Sequence, residues 1–111
     1  MADITLKQFL ERARHVTRNY VVAWEGKWAL DKQDKKIDEE VYEFKHPENS
    51  LNELEEAWDV FFSVITKLHL KDVDDYAILE SGLSTLKKIE SRSEHAFKEY
   101  QRCIASERLG V

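Results

Sequence analysis

Residues that form turns are scarce in this chain: its 111 residues include three glycines and one proline. A small β-sandwich or barrel of that length would need turn residues every ~8 to 12 positions. Four helices would need only three connections, and apolar residues recur three or four positions apart along most of the chain, which is the helical period. We therefore predict a single all-α domain spanning residues 1–111, built as a bundle of four to five helices.

Apolar periodicity and helix-starting residues predict the positions of four helices. The third, from Leu51 to about Leu70, is predicted to be the core helix and carries the clearest apolar stripe, formed by Leu51, Leu54, Trp58, Phe61, Ile65 and Leu68. The fourth starts with the acidic residues 72–75 and carries a broken stripe, in which Gly82 is expected to introduce a bend. The first two helices are predicted to start near Asp3 or Thr5 and near Asp31 or Asp34, and to end near Trp24 and Lys45.

The segment between the second and third helices is predicted to be a tight antiparallel turn. Pro47 disfavours a helical conformation for His46, and Ser50 with Glu53 three positions later is typical of a capping box at a helix start. Counted outwards from this turn, Glu40 and Glu56 are equally distant from its centre. At a rise of ~1.5 Å per residue they should lie at similar heights on neighbouring helices.

Each of these two helices carries a pair of carboxylates on one face. Residues three apart are neighbours on a helix surface, so Glu40 lies beside Glu43, and Glu56 lies beside Asp59. Asp59 is the only charge from residue 57 to 66, where an unpaired and partly buried carboxylate would be costly. Four converging carboxylates repel one another unless they are solvated or neutralised by a cation. Mg²⁺, which prefers oxygen ligands, is the predicted ion.

The pattern Glu39-Glu40-Val-Tyr-Glu43, followed after a spacer by Glu56-Ala-Trp-Asp59, resembles the MazG-like family of all-α nucleoside triphosphate pyrophosphohydrolases. The similarity covers about residues 30–70. It implies a MazG-like helical fold that homo-oligomerisation completes, as a dimer or tetramer. It also implies that Mg²⁺ or Mn²⁺ is bound by four residues, Glu40, Glu43, Glu56 and Asp59.

The same resemblance implies hydrolysis of a nucleoside triphosphate, either NTP or dNTP, to the monophosphate and pyrophosphate, as in clean-up of the nucleotide pool. Glu39 or Glu43 would be the catalytic base that accepts a proton from the attacking water. Two alternatives stay open at this point. One is an inactive helical bundle that binds a nucleotide or a protein, and the other is a hydrolase of the phosphoribosyl-ATP type.

Five further residues are candidates for substrate binding, each with a simpler structural explanation. Lys36 could contact phosphate, or form a surface ion pair with Glu40. Trp24 and Trp28 could stack on a base, or pack in the core or at a subunit interface. Lys88 and Arg92, one turn apart on the fourth helix, could bind phosphate or be solvated charges.

The net charge of −5 argues against a broad surface for nucleic acids or anionic membranes. No segment approaches the ~20 apolar residues of a membrane-spanning helix, and the N-terminal residues lack the pattern of a signal peptide. The single cysteine, Cys103, cannot form an internal disulfide. These features favour a cytoplasmic protein without a nucleic-acid or membrane partner.

Overall fold

The computed structural model describes residues 3–23 and 30–110, and within these ranges it contains four α-helices and no strand. The prediction of an all-α fold is therefore confirmed. The chain divides into two compact units, Met1–Tyr76 and Ala77–Val111, which we describe separately; the assignment of one domain to residues 1–111 stays a prediction. The helices are α1 (Leu6–Ala23), α2 (Leu30–Lys45), α3 (Ser50–Leu70) and α4 (Asp75–Arg108).

Helix α1 starts with a reciprocal pair of hydrogen bonds, close to the predicted start. The Thr5 N–H donates to Gln8 Oε1 at 2.8 Å, and the Gln8 N–H donates to Thr5 Oγ1 at 3.1 Å. These bonds satisfy backbone donors that the first turn of a helix otherwise leaves unpaired. The buried face of α1, formed by Leu10, Ala13 and Thr17, packs towards α3.

Helices α2 and α3 form the predicted hairpin, and polar side chains hold them together. The buried Gln33 side chain donates to the carbonyl oxygen of Ser63 at 2.8 Å. Lys67 forms an ion pair with Asp34 at 2.6 Å. The cap of α3 differs from the prediction: the side chain of Asn49 accepts the hydrogen bond from the Asn52 N–H, and Ser50 is already helical. Asparagine is as good an N-cap as serine, so the sequence alone did not separate the two.

The prediction that the whole apolar stripe of α3 forms the core is wrong for its first half. Only Ile65 of the stripe is buried, whereas the side chains of Leu51, Leu54 and Trp58 are between 56 and 69% exposed. Aromatic side chains of α3 nevertheless contact a side chain of α1. The Phe9 ring lies 5.8 to 6.0 Å from the rings of Trp58, Phe61 and Phe62.

A polar network closes the turn between α3 and α4. Asp72 has a φ of 57°, and the N–H groups of Asp72 and Val73 donate to the last carbonyl groups of α3, which is the Schellman pattern. Arg14 donates to Asp75 Oδ1 at 3.0 Å, and His69 Nε2 lies 2.8 Å from the same oxygen. Burial alone would raise the pKa of Asp75, but the hydrogen bonds from Arg14 and His69 outweigh it and place that pKa below its ordinary value.

Helix α4 is a single continuous helix of 34 residues, and none of its residues is buried. The helix is not interrupted at Gly82, and the predicted bend there stays a prediction. Cys103 is exposed on it as a free thiol. Among the residues that the structure describes, no helix is long and apolar enough to cross a bilayer.

Candidate metal centre

The α2–α3 hairpin brings three of the four predicted metal ligands together. Glu40 and Glu43 lie one turn apart on α2, and Glu56 comes from the facing part of α3. One carboxylate oxygen from each lies within 4.8 Å of the others. The prediction that Glu40 and Glu56 lie at similar heights across the turn agrees with this arrangement, which the helical rise and the length of the turn produce together.

Two oxygen atoms of this carboxylate group are buried without a hydrogen-bond partner. Glu40 is buried, Glu56 is partly buried and Glu43 is exposed. Oε1 of Glu40 pairs with Lys36 Nζ at 2.7 Å, and Oε1 of Glu56 accepts from Asn52 Nδ2 at 3.3 Å. Oε2 of Glu40 and Oε2 of Glu56 have no donor. Buried acceptors without a partner are costly, so these atoms fit a bound cation.

The local electrostatics have the sign that a cation site requires. The charge of Glu40 raises the pKa of Glu43, and partial desolvation and the neighbouring Glu56 raise it further. The hydrogen bond to Glu40 raises the pKa of Lys36, and the charges of Glu40 and Glu39 add to that effect. The raised pKa values of Glu43 and Lys36 both indicate an excess of negative charge at this end of the hairpin. A divalent cation would neutralise that charge.

Asp59 and Glu39 lie outside the three-carboxylate group. The expected burial of Asp59 is wrong, because its side chain is exposed despite its aromatic neighbours in the sequence. Asp59 does share a cavity with Lys36 and Glu40. Glu39 is exposed, and its charge acts on Lys36. Asp59 is therefore placed at the edge of the centre, and Glu39 is an exposed residue that is not part of it.

A cavity of about 370 Å³ opens beside the carboxylates, between α1, α2 and α3. Its size is within the range of small-molecule sites. Its lining residues include Lys36 and Glu40, which belong to the carboxylate group or contact it, and the aromatic residue Phe62. The remaining wall includes Val16, Thr17, Tyr20, Gln33, Asp59, Ser63 and Thr66. Cation, anion and aromatic contacts are thus available to one ligand.

The predicted substrate-binding residues are only partly placed at this cavity. Lys36 lines it and also pairs with Glu40, so the ion pair and a role in phosphate binding are compatible. Lys88 and Arg92 are exposed on α4, in the second unit, and their role stays a prediction. Trp24 and Trp28 lie outside the described residues.

Sequence reasoning missed Gln33 and Asn52, two amides that hold the centre in place. Gln33 joins α2 to α3 through the Ser63 carbonyl, and Asn52 donates to Glu56. Spacing was the available signal, because Gln33 lies two turns before Glu40 on the same face and Asn52 lies one turn before Glu56. The helical period of the apolar residues does not indicate such polar positions.

Comparisons of the chain with protein-family models, with curated proteins and with solved structures find no match. The resemblance to the MazG-like family therefore stays a resemblance of motifs within residues 30–70. The geometry of the carboxylate group is an independent observation, and the functional argument depends on both.

Proposed function

We propose that this protein hydrolyses a nucleoside triphosphate to the monophosphate and pyrophosphate, with Mg²⁺ or Mn²⁺ bound at the carboxylate group. One observation carries the proposal: three carboxylates from two helices converge within 4.8 Å, and two of their buried oxygens lack a partner. The type of reaction is inferred from the resemblance of the motif to the MazG-like family. The adjacent cavity, with Lys36 at its wall, supplies a place for the substrate.

Glu40, Glu43 and Glu56 would hold the metal, with Asp59 as the fourth ligand by resemblance. When bound, such an ion neutralises charge on phosphate oxygens and lowers the pKa of a coordinated water. Asn52 keeps Glu56 oriented, and Lys36 keeps one oxygen of Glu40 occupied so that the other is left for the ion. Orientation of ligands by such neighbours is a common feature of metal sites.

The chain's own groups have separate tasks in the reaction. Water forms a new bond to phosphorus, the anhydride bond between the α and β phosphates breaks, and pyrophosphate leaves. Glu39 or Glu43, whichever is not bound to the ion, accepts the proton from that water. Lys36 donates to phosphate oxygens from the cavity wall, where it is half-exposed and within reach of a ligand.

Homo-oligomerisation, as a dimer or tetramer, is part of the proposal. The cavity is open on one side, and two of the side chains that line it, Val16 and Tyr20, are exposed. Exposed apolar patches of this kind commonly mark interaction surfaces. A neighbouring subunit would close the site and exclude water from the reacting phosphates.

The experiment is release of pyrophosphate from each NTP and dNTP, and from phosphoribosyl-ATP, with Mg²⁺, with Mn²⁺ and with EDTA. Glu56→Gln and Asp59→Asn should lower kcat by at least about a hundredfold, as expected when a group that acts in the transition state is lost. Glu55→Gln is the matched control, because Glu55 is exposed on the same helix and lies outside the carboxylate group.

Each outcome distinguishes the candidate functions. Metal-dependent release that Glu56→Gln abolishes and Glu55→Gln leaves intact supports hydrolysis, and the preferred substrate separates nucleotide clean-up from a phosphoribosyl-ATP activity. Equal activity in all variants would show that pyrophosphate release does not depend on the carboxylate group. Nucleotide binding without release, over the whole panel, would favour the inactive binding bundle.

A further inference from the structure

Helix α4 carries a long apolar face that is open to solvent. None of its residues is buried. The side chains of Leu83, Leu86, Phe97 and Tyr100 are between 50 and 62% exposed. A helix that keeps such a face exposed over 34 residues commonly packs it against another helix.

This face follows the seven-residue repeat of a coiled coil, in which apolar residues occupy two positions per repeat. The repeat is interrupted once, in its middle, by polar residues. The first set of positions is Leu83, Glu90, Phe97 and Ile104, and the second set is Leu79, Leu86, Ser93 and Tyr100.

We propose that α4 pairs with α4 of a second copy of this chain as an antiparallel coiled coil. In one register, Glu90 of each copy lies opposite Ser93 of the other, and apolar residues face each other on both sides of this polar layer. The apolar pairs are Leu86 with Phe97, Leu83 with Tyr100 and Leu79 with Ile104. Shifting the register by one repeat would place Glu90 against Leu86 or Tyr100, which would bury a charge on an apolar side chain.

The flanking positions of the same register have complementary charge and size. On one flank, Lys87 of each copy lies beside Glu94 of the other, so the twofold symmetry produces two opposite-charge pairs. On the other flank, small or apolar residues meet: Ile89 beside Ala96, and Gly82 beside Cys103.

A parallel pair of the same helices would lack this complementarity. It would stack Glu90 on Glu90 in the middle of the seam and place Ile89 beside Glu94. Like charges facing each other at a buried layer are unfavourable. The charge pattern of α4 therefore selects a second copy in the antiparallel direction. This inference does not depend on the proposed hydrolysis.

The first test is a charge-swap experiment on the full chain, with the dimer dissociation constant measured by light scattering or sedimentation under reducing conditions. Lys87→Glu should weaken the dimer by about tenfold, since two attractive pairs become two repulsive ones. The double variant Lys87→Glu/Glu94→Lys should restore it. Lys87 and Glu94 are seven residues apart and do not interact within one helix, so rescue is specific to contact between copies.

Lys88→Glu is the matched control, because it makes the same charge change at a position that faces away from the seam. Mixing the Lys87→Glu chain with the Glu94→Lys chain should produce a heterodimer tighter than either homodimer. In the antiparallel mixture both flanking pairs join a glutamate to a lysine, whereas a parallel pair would place positions 87 and 94 beside Gly82 and Ile89 of the other copy, so a tighter heterodimer also reports the antiparallel direction.

The second test is covalent. Gly82 has open space around the position of a Cβ atom, so Gly82→Cys should be tolerated in the fold. Oxidation of this variant should then join the introduced thiol to Cys103 of the second copy and give a covalent dimer. Ser81→Cys, which points away from the seam, should not cross-link. Residues 82 and 103 lie about 30 Å apart along one helix, so an intramolecular bond is impossible.

Three results would overturn the proposal. A monomer at tens of micromolar would show that this face does not pair. A dimer that the charge variants leave unchanged would lie on another face. Cross-linking of the wild-type dimer through Cys103 alone would contradict this register, since the antiparallel pair keeps the two Cys103 residues about 30 Å apart along the seam.

Discussion

Neutralising Glu56 should stabilise the metal-free protein and, in the same variant, remove its stabilisation by Mg²⁺. Glu56→Gln keeps the size of the side chain and keeps an oxygen that can accept from Asn52. It removes one of three negative charges that lie within 4.8 Å of one another. Two opposite effects on stability therefore follow from one substitution, and the presence of metal decides which one is seen.

The size of the first effect follows from the distance between the charges. At 4.8 Å the repulsion between Glu56 and Glu40 is about 0.9 kcal/mol if the medium behaves as water, and about 3.5 kcal/mol with an effective dielectric constant of 20. Lys36, at 2.7 Å from Glu40, offsets part of this repulsion. We expect the free energy of unfolding to rise by about 1 kcal/mol in EDTA, which corresponds to roughly 4 °C in Tm.

The second effect depends on metal concentration. An ion that binds only the folded state adds about 2.7 kcal/mol to the free energy of unfolding at a hundred times its Kd. Wild type should therefore gain stability in Mg²⁺, whereas Glu56→Gln should gain little. The assay is thermal unfolding followed by circular dichroism, in EDTA and over a series of Mg²⁺ concentrations, with Glu55→Gln as control.

The specific result is a change of order: Glu56→Gln has the higher Tm in EDTA, and wild type has the higher Tm at high Mg²⁺ concentration. If Glu56→Gln is less stable than wild type in EDTA, and Mg²⁺ leaves the Tm of both unchanged, the carboxylates are not held in mutual repulsion and do not form a metal site. A shift of equal size in Glu55→Gln would show that Mg²⁺ acts only through general screening of the acidic surface.

Three further predictions concern the scaffold around the site. Asp75→Asn should lower the free energy of unfolding by about 2 kcal/mol near pH 7. Because the pKa of Asp75 lies below its ordinary value, its stabilisation is present above about pH 4 and is lost as pH falls through the lowered pKa, so denaturation at about pH 2 should show a smaller difference. Asp72→Gly should raise the free energy of unfolding by about 0.5 to 1 kcal/mol, because glycine adopts the φ of 57° without strain and the lost ion pair to Arg14 is solvent-exposed on the Asp72 side. A lower Tm would show that the ion pair outweighs the backbone strain. Phe9→Ala should cost about 3 kcal/mol in urea denaturation through loss of contacts with Trp58 and its aromatic neighbours, and a cost below about 1 kcal/mol would contradict that packing.

Much of the local structure is readable from the sequence because it depends on neighbours along the chain. The start of α1 near Thr5, the end of α2 at Lys45 and the turn around Pro47 all follow from short-range rules. The pairing of Glu40 with Glu43 on one face also follows, since it needs only the period of a helix. The convergence of Glu40 and Glu56 requires one further step, an antiparallel hairpin, which the length of the turn indicates.

What the tertiary structure alone decided is the environment of each side chain. Periodicity places a residue on a face, but the rotation and crossing of the helices decide how deeply that face is covered. This is why Leu51 and Leu54 of the predicted core stripe are exposed, why Asp59 lies at the edge of the centre, and why the polar Gln33 is buried. The same reason applies at the carboxylate group: the sequence by itself determined which acids are neighbours, and only the packing of α2 against α3 decided which of their oxygens are buried without a partner.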